Sequence, residues 1–187
     1  MIPSREEVLR RLFGRLYGSP VVRNNLRGEL VEEIVGIALE PEWRLTGSDW
    51  GACDLQHEAS SQRIQVKQSA AKQSWVAGNF GYGPARFSIA TKTGRYEGAN
   101  WVSNEGRNAD IFVFAWNDAT GPDCDHADPA RWRFLVVAEA DLPAQKSIGM
   151  RQLERLTTAV DFFGLGSRVQ AVMTSNFDPK LAPTATV

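Results

Sequence analysis

Cysteine is scarce in this chain: Cys53 and Cys124 are the only two, and they lie far apart. That excludes a disulfide-stapled scaffold. No apolar run is long enough for a bilayer-spanning helix. The opening residues, MIPSREEVLRRL, contain no apolar stretch of the signal-peptide kind. The expectation is a soluble, cytoplasmic protein without a membrane partner. No internal repeat is visible, which argues against solenoids and propellers. Neither a GxGxxG nor a P-loop occurs, so no nucleotide cofactor is expected. Neither sign of charge dominates: Lys and Arg total 21 against 22 for Asp and Glu, and the net charge is −1. A uniformly basic nucleic-acid coat is thereby excluded. What remains, 187 residues with 43% hydrophobic and 23% charged, has the make-up of an ordinary globular domain. It reads as one domain over 1–187, with an N-terminal helix within 1–20 and a frayed tail at 178–187.

Charge is unevenly distributed within that neutral total. Between Arg63 and Arg107 stand Lys67, Lys72, Arg86, Lys92 and Arg95, opposed only by Glu97 and Glu105. From Asp110 to Asp141 acids prevail: Asp118, Asp123, Asp125, Asp128 and Glu139. The basic segment also carries Trp75, Phe80, Tyr82, Tyr96 and Trp101 among its glycines. Cations interleaved with aromatics suit a polyanion whose bases can stack. A solvated loop of mixed charge, with aromatics anchoring it to a sheet, is the bland alternative. Lys72, Arg86, Lys92 and Arg95 are the candidate nucleic-acid contacts.

Hydrophobic periodicity predicts a helix over Ser4–Tyr17, with Ser4 as N-cap and Val8, Leu9, Leu12, Phe13 and Leu16 on one side. A second helix runs from Val22 or Asn24 to Leu39 and stops at Pro41. Strands follow at Trp43–Thr46, Ala52–Glu58, Arg63–Ser69 and Arg86–Ala90. One helical turn is expected at Ala70–Trp75, and a polar loop at Thr91–Arg107. Ala109–Trp116 and Arg133–Glu139 are short apolar runs of the buried-strand kind. Asn117–Ala130 reads as an acidic loop, Met150–Phe163 as a helix and Arg168–Thr174 as a last strand. This order predicts an α/β (α+β) domain: a central mixed β-sheet, covered on both faces and flanked by helices.

The chemistry concentrates in Trp50–Ser69, WGACDLQHEASSQRIQVKQS. With a turn centred between Ala59 and Ser60, Asp54 falls opposite Gln65. Gln65 and Lys67, two apart on a strand, share a face. An acid, an amide and an ammonium then converge, because cross-strand neighbours are only about 5 Å apart. A slip of one residue would scatter them. Hard cations such as Mg²⁺ take one or two carboxylates together with water and phosphate oxygens. Asp54, the Gln65 carbonyl and a glutamate of the second helix (Glu29, Glu32 or Glu33) would supply such ligands. Lys67 would orient the attacking water and offset transition-state charge. An exposed Asp54–Lys67 ion pair, worth little, is the structural alternative.

The pattern Asp54, ten residues, Gln65-Val66-Lys67 resembles the PD-(D/E)XK nuclease superfamily, in the variant where glutamine replaces the second acid. The stretch Arg27–Val35, RGELVEEIV, is similar to that superfamily's G-x-L-x-E-x-x-V helix, and the alignment selects Glu32. The runs ADIFVFAW and RFLVVAEADLP are similar to its later core strands. The resemblance implies a restriction-endonuclease-like fold and Mg²⁺- or Mn²⁺-dependent cleavage of DNA, expected to be double-stranded. It assigns Asp54, Gln65 and Glu32 to metal and catalysis and Lys67 to catalysis. Cys53 stands where the proline of the motif would be. Cutting both strands calls for two sites, so a homodimer is expected by symmetry. The rival expectation is a catalytically silent module that keeps the fold and binds nucleic acid or protein.

Asp49 lies near Asp54 but in a Gly-Ser turn context. His57 alternates to the face opposite Asp54 and reads as packed. Cys124, Asp125, His126 and Asp128 match no zinc spacing and read as part of the acidic loop.

Overall fold

A computed structural model describes residues 2–46, 52–75, 85–97 and 100–175, with no side chains described at 95–97. Helix α1 (Arg5–Tyr17) begins where Ser4 Oγ accepts the Glu7 N–H at 3.2 Å. The Glu7 carboxylate is held by Arg10 and Arg11. The anticipated apolar side of α1 buries no residue, and Val8 and Phe13 remain exposed. Helix α2 (Asn24–Leu39) does pack: Val31, Ile34, Val35 and Leu39 are buried.

Strand β1 (Trp43–Leu45), β2 (Leu55–His57) and β3 (Arg63–Ala70) form an antiparallel run, and β4 (Arg86–Ser88) lies apart from it. Next come β5 (Lys92–Glu97) and β6 (Asn100–Gly106), which pair only with one another as an antiparallel ribbon. The polar loop expected at Thr91–Arg107 is therefore a hairpin. Its glycines suggested a surface loop, but Gly94 sits at a close approach, where an added Cβ would lie 2.5 Å from Val102 O and 2.6 Å from the Trp101 ring. Strands β7 (Ile111–Asn117) and β8 (Arg133–Ala138) complete a five-stranded sheet in the order β1-β2-β3-β7-β8. Since β3 and β7 are parallel and every other neighbouring pair is antiparallel, the sheet is mixed, as expected.

Strand β9 (Ser147–Gly149) pairs with β4, and α3 (Met150–Leu156) and α4 (Phe162–Ser175) follow. Two expectations fail here. The single helix of Met150–Phe163 ends at Leu156, because Val160 instead exchanges main-chain hydrogen bonds with Phe134 at 2.8 and 2.9 Å. The strand expected at Arg168–Thr174 is helical: Leu165, Val169 and Met173, four apart, are its buried residues. That spacing is one helix face, and the β-branched residues between obscured it. The helical turn expected at Ala70–Trp75 is instead β3's last residue followed by bend and turn.

Both sheet faces are covered. Odd-numbered residues of β7 (Ile111, Val113, Ala115) pack with α2 and α4. Even-numbered ones (Phe112, Phe114) pack with β4, Ile89, Ile148 and Leu153. Phe87 meets Phe114 edge-on at 5.3 Å between ring centroids. Register pairs Gln65 with Phe112 and Lys67 with Phe114, so the two polar residues of β3 share this second face.

Candidate active site

The β2–β3 register is Leu55 with Ile64 and Gln56 with Arg63, which extends to Asp54 opposite Gln65. Strand β2 itself begins one residue after Asp54, yet the Asp54 N–H still donates to Ile64 O at 2.9 Å. Where the strand's backbone pairing stops, the Asp54 side chain takes over: its Oδ2 accepts the Val66 N–H at 2.6 Å. The same oxygen accepts from Gln65 Nε2. One aspartate is thus fixed by a main-chain and a side-chain donor, and Gln65 is buried beside it.

Of the three helix glutamates, Glu29 and Glu33 are exposed and only Glu32 is half-buried. Burial, assisted by the charges of Asp54 and Glu29, pushes its carboxyl up to about 7, while Lys67 acts the other way. Burial likewise raises Asp54, against the Val66 N–H, Lys67, Gln65 and Lys92. Burial lowers Lys67, against Asp54 and Glu32. Each charged group is therefore pushed toward neutrality by desolvation, the usual sign of charges gathered in a partly dry site. Among the described residues, neither Glu32 nor Lys67 forms a hydrogen bond or ion pair, so they lie within electrostatic reach but not in contact.

Among the described residues, no three of His, Cys, Asp and Glu come together as a metal cage. The oxygen donors here are two carboxylates, Glu32 and Asp54, and the carbonyl of the Gln65 amide, whose Nε2 donates to Asp54. That set fits a magnesium-type ion, which keeps waters and needs only one or two protein carboxylates. The Asp54 anchor leaves its other carboxylate oxygen free of the Val66 and Gln65 bonds.

The other candidates are distributed variously. Lys72 Nζ donates to Thr120 O and Gly121 O at 3.2 and 3.4 Å, tying the acidic loop to the end of β3. Arg86 is exposed and bonds Ser147 Oγ at 2.8 Å. Lys92 is exposed at the start of β5. The Arg95 side chain and all of Asp49, Phe80 and Tyr82 lie outside the described residues. His57 caps its own turn, with Nδ1 accepting the Ser60 N–H at 3.0 Å, and its ring meets Trp43 edge-on. His126 Nδ1 accepts the Val22 N–H at 3.1 Å, Asp125 accepts the Ala127 N–H and Asp128 the Ala130 N–H. Those bonds make the Cys124–Asp128 stretch a loop brace.

Arg27 escaped notice in the sequence. It is 1% exposed, and its guanidinium donates to Gln68, Gln73 and Asn24 amide oxygens at 2.6 to 3.1 Å. None of these partners is a carboxylate. Burial lowers it to about 10. The missed signal is spacing, since Arg27 precedes Val31 and Val35 by four and eight on the packed face of α2. The bond to Gln68, next to Lys67 in the chain, ties the start of α2 to β3.

A cleft of about 650 Å³ opens at the start of β3 and β7, lined by Arg63, Asp110, Arg107 and Glu139 among others. Those charges are already paired, Arg63 with Asp110 and Arg107 with Glu139, and none of the four candidate residues lines it.

No protein-family model matches this chain, and no curated protein matches it. Among solved structures it is similar to a bacterial homing endonuclease, at 16% identity and a TM-score of 0.42, over 81% of this chain and 95% of that one.

Proposed function

We propose that the chain is a metal-dependent DNA endonuclease with a restriction-endonuclease-like site of the PD-(D/E)XK kind, built on Glu32, Asp54, Gln65 and Lys67. The observation that carries this reading is the double anchoring of Asp54 by Val66 and Gln65, with Lys67 close enough to favour its ionised form and its own charge felt at Glu32. Asp54, Gln65 and Glu32 would hold Mg²⁺ or Mn²⁺. Bound there, the ion would polarise the phosphodiester and acidify a water. Lys67, an ammonium on a half-buried strand, orients the attacking water and offsets charge on the phosphoryl oxygens. The water oxygen bonds to phosphorus and releases a proton to solvent, the ester bond opposite breaks, and the departing oxygen takes a proton from solvent. The partner is duplex DNA, and two copies of the chain present one site to each strand. Light scattering tests the dimer.

The test of the site is cleavage of plasmid DNA with Mg²⁺ or Mn²⁺ by the unsubstituted chain, Asp54→Ala and Lys67→Ala. Loss of metal-dependent cutting in both variants is expected. Cutting that survives both would overturn the assignment. A second reading, a silent nucleic-acid-binding module, draws on the two-carboxylate donor set. It predicts salt-sensitive DNA binding with no change of melting temperature on adding Mg²⁺.

A further inference from the structure

The β5–β6 ribbon joins the sheet at a root clamped by hydrogen bonds. Ile89, just before it, is 1% exposed within the cluster of Phe87 and Phe114. At the other end of the hairpin, Arg107 Nε donates to Ile89 O at 2.7 Å and Nη2 to Pro143 O at 2.6 Å, while Nη1 pairs with Glu139 at 3.1 Å. Asn108 is buried and its amide donates to Gly94 O at 3.4 Å. Lys92 opposes Gly106 at this root. The root rises from the sheet face that carries Gln65 and Lys67, because Phe87 and Ile89 pack on that face. Beyond the root, Asn100, Trp101, Ser103, Asn104 and Glu105 are exposed, so neither side of β6 has a core beneath it.

We propose that Lys92 is a second phosphate-binding cation of the site, gripping a phosphate oxygen of the DNA strand that lies over Asp54 and Lys67. The proposal rests on the nuclease reading and deepens it. Three observations support it. Lys92 is exposed and, among the described residues, forms no hydrogen bond or ion pair, so its ammonium is available. Its position at a clamped root fixes where that ammonium can reach. The root stands on the sheet face that carries Gln65 and Lys67, which places Lys92 on the site's side of the sheet. The formal balance is then two acids, Glu32 and Asp54, against two lysines, Lys67 and Lys92. Arrival of a divalent cation makes that group net positive, which suits a phosphodiester anion. Gln65, uncharged where an acid could stand, favours the same outcome.

Fluorescence anisotropy of a labelled duplex, in EDTA over a range of salt, tests this with the unsubstituted chain, Lys92→Gln and Lys92→Arg. Each phosphate contact contributes about −0.9 to the slope of log K against log salt. The slope should fall by about one for Lys92→Gln, with Kd weakened roughly five- to tenfold at moderate salt. Lys92→Arg should restore both. In Mg²⁺ the same Gln variant should raise KM for plasmid cleavage more than it lowers kcat. An unchanged slope in Lys92→Gln, with normal binding by the unsubstituted chain, overturns the Lys92 proposal alone. Absence of both binding and cleavage in the unsubstituted chain overturns the nuclease reading and this one with it.

Discussion

Asp54 Oδ2 stands 2.6 Å from the Val66 main-chain nitrogen and accepts its N–H across the β2–β3 register. The acid proposed to hold a metal is therefore also a structural acceptor. A buried N–H left without a partner costs about 1–3 kcal/mol. Asp54→Ala should abolish cleavage and lower stability by about that amount. Asp54→Asn retains an oxygen for Val66 and removes a charge that burial disfavours. It should melt at or above the temperature of the unsubstituted chain while remaining inactive. Recovery of cleavage in Asp54→Asn would mean that the carboxylate charge is not needed.

Glu32 gives a stability signature in pH. Its folded value is raised to about 7 from 4.5, so between those values the folded chain holds a proton that the unfolded chain has released. Its contribution is full below 4.5 and is lost as pH rises to 7. His126 has the opposite sign: burial, with Arg27, lowers it to about 4 from 6.5, so its contribution is present above 6.5 and is lost as pH falls to 4. The two oppose each other where their windows overlap. Urea unfolding of Glu32→Gln should show stability climbing with pH up to about 6.5, more steeply than the unsubstituted chain. At pH 8 the variant should be more stable by about 1 kcal/mol, after allowance for solvent screening. An identical pH profile in the two chains would refute the placement of Glu32.

Gln65→Glu replaces the amide that donates to Asp54 with a second carboxylate. Without divalent ions the two acids repel, and the melting temperature should fall. Mg²⁺ should then raise it by more than it raises that of the unsubstituted chain, because one more anionic ligand faces the ion. Thermal melts with and without Mg²⁺ measure both effects. Equal Mg²⁺ shifts in the two chains would remove Gln65 from the ion's surroundings.

Arg27 donates to three amide oxygens from a buried position. Arg27→Met should lower stability by about 2–4 kcal/mol, because those oxygens lose charge-assisted donors. Arg27→Lys should recover only part, since an ammonium cannot reproduce the planar fork. Cleavage per folded molecule should fall in both if the Arg27–Gln68 bond aligns α2 with β3. A loss of less than about 0.5 kcal/mol in Arg27→Met, the range of ordinary surface changes, would contradict that role.

Local pattern carried much of the framework. Ser4 and Pro41 bracket the two N-terminal helices because capping and proline geometry are properties of a few adjacent residues. The hairpin register was legible for the same reason: small polar residues at 59–61 set the turn, and period two then fixed Asp54 opposite Gln65. Arg168–Thr174 reads as a strand because Val169 and Val172 suit either element, and only packing against α2 and β8 selects the helix. Thr91–Arg107 reads as a polar loop because β6 has no buried face to print an alternating pattern.

The sequence by itself determined the strands of the central sheet, the mixed α/β class and the face shared by Gln65 and Lys67, since these follow from periodicity along the chain. Only the tertiary structure decided that Glu32 alone of the three helix glutamates is half-buried and coupled to Asp54, that Arg27 is buried among amides, and that the charge of Lys92 is felt at Asp54. Those relationships join residues on separate elements, and burial and charge between elements depend on packing that no local pattern records.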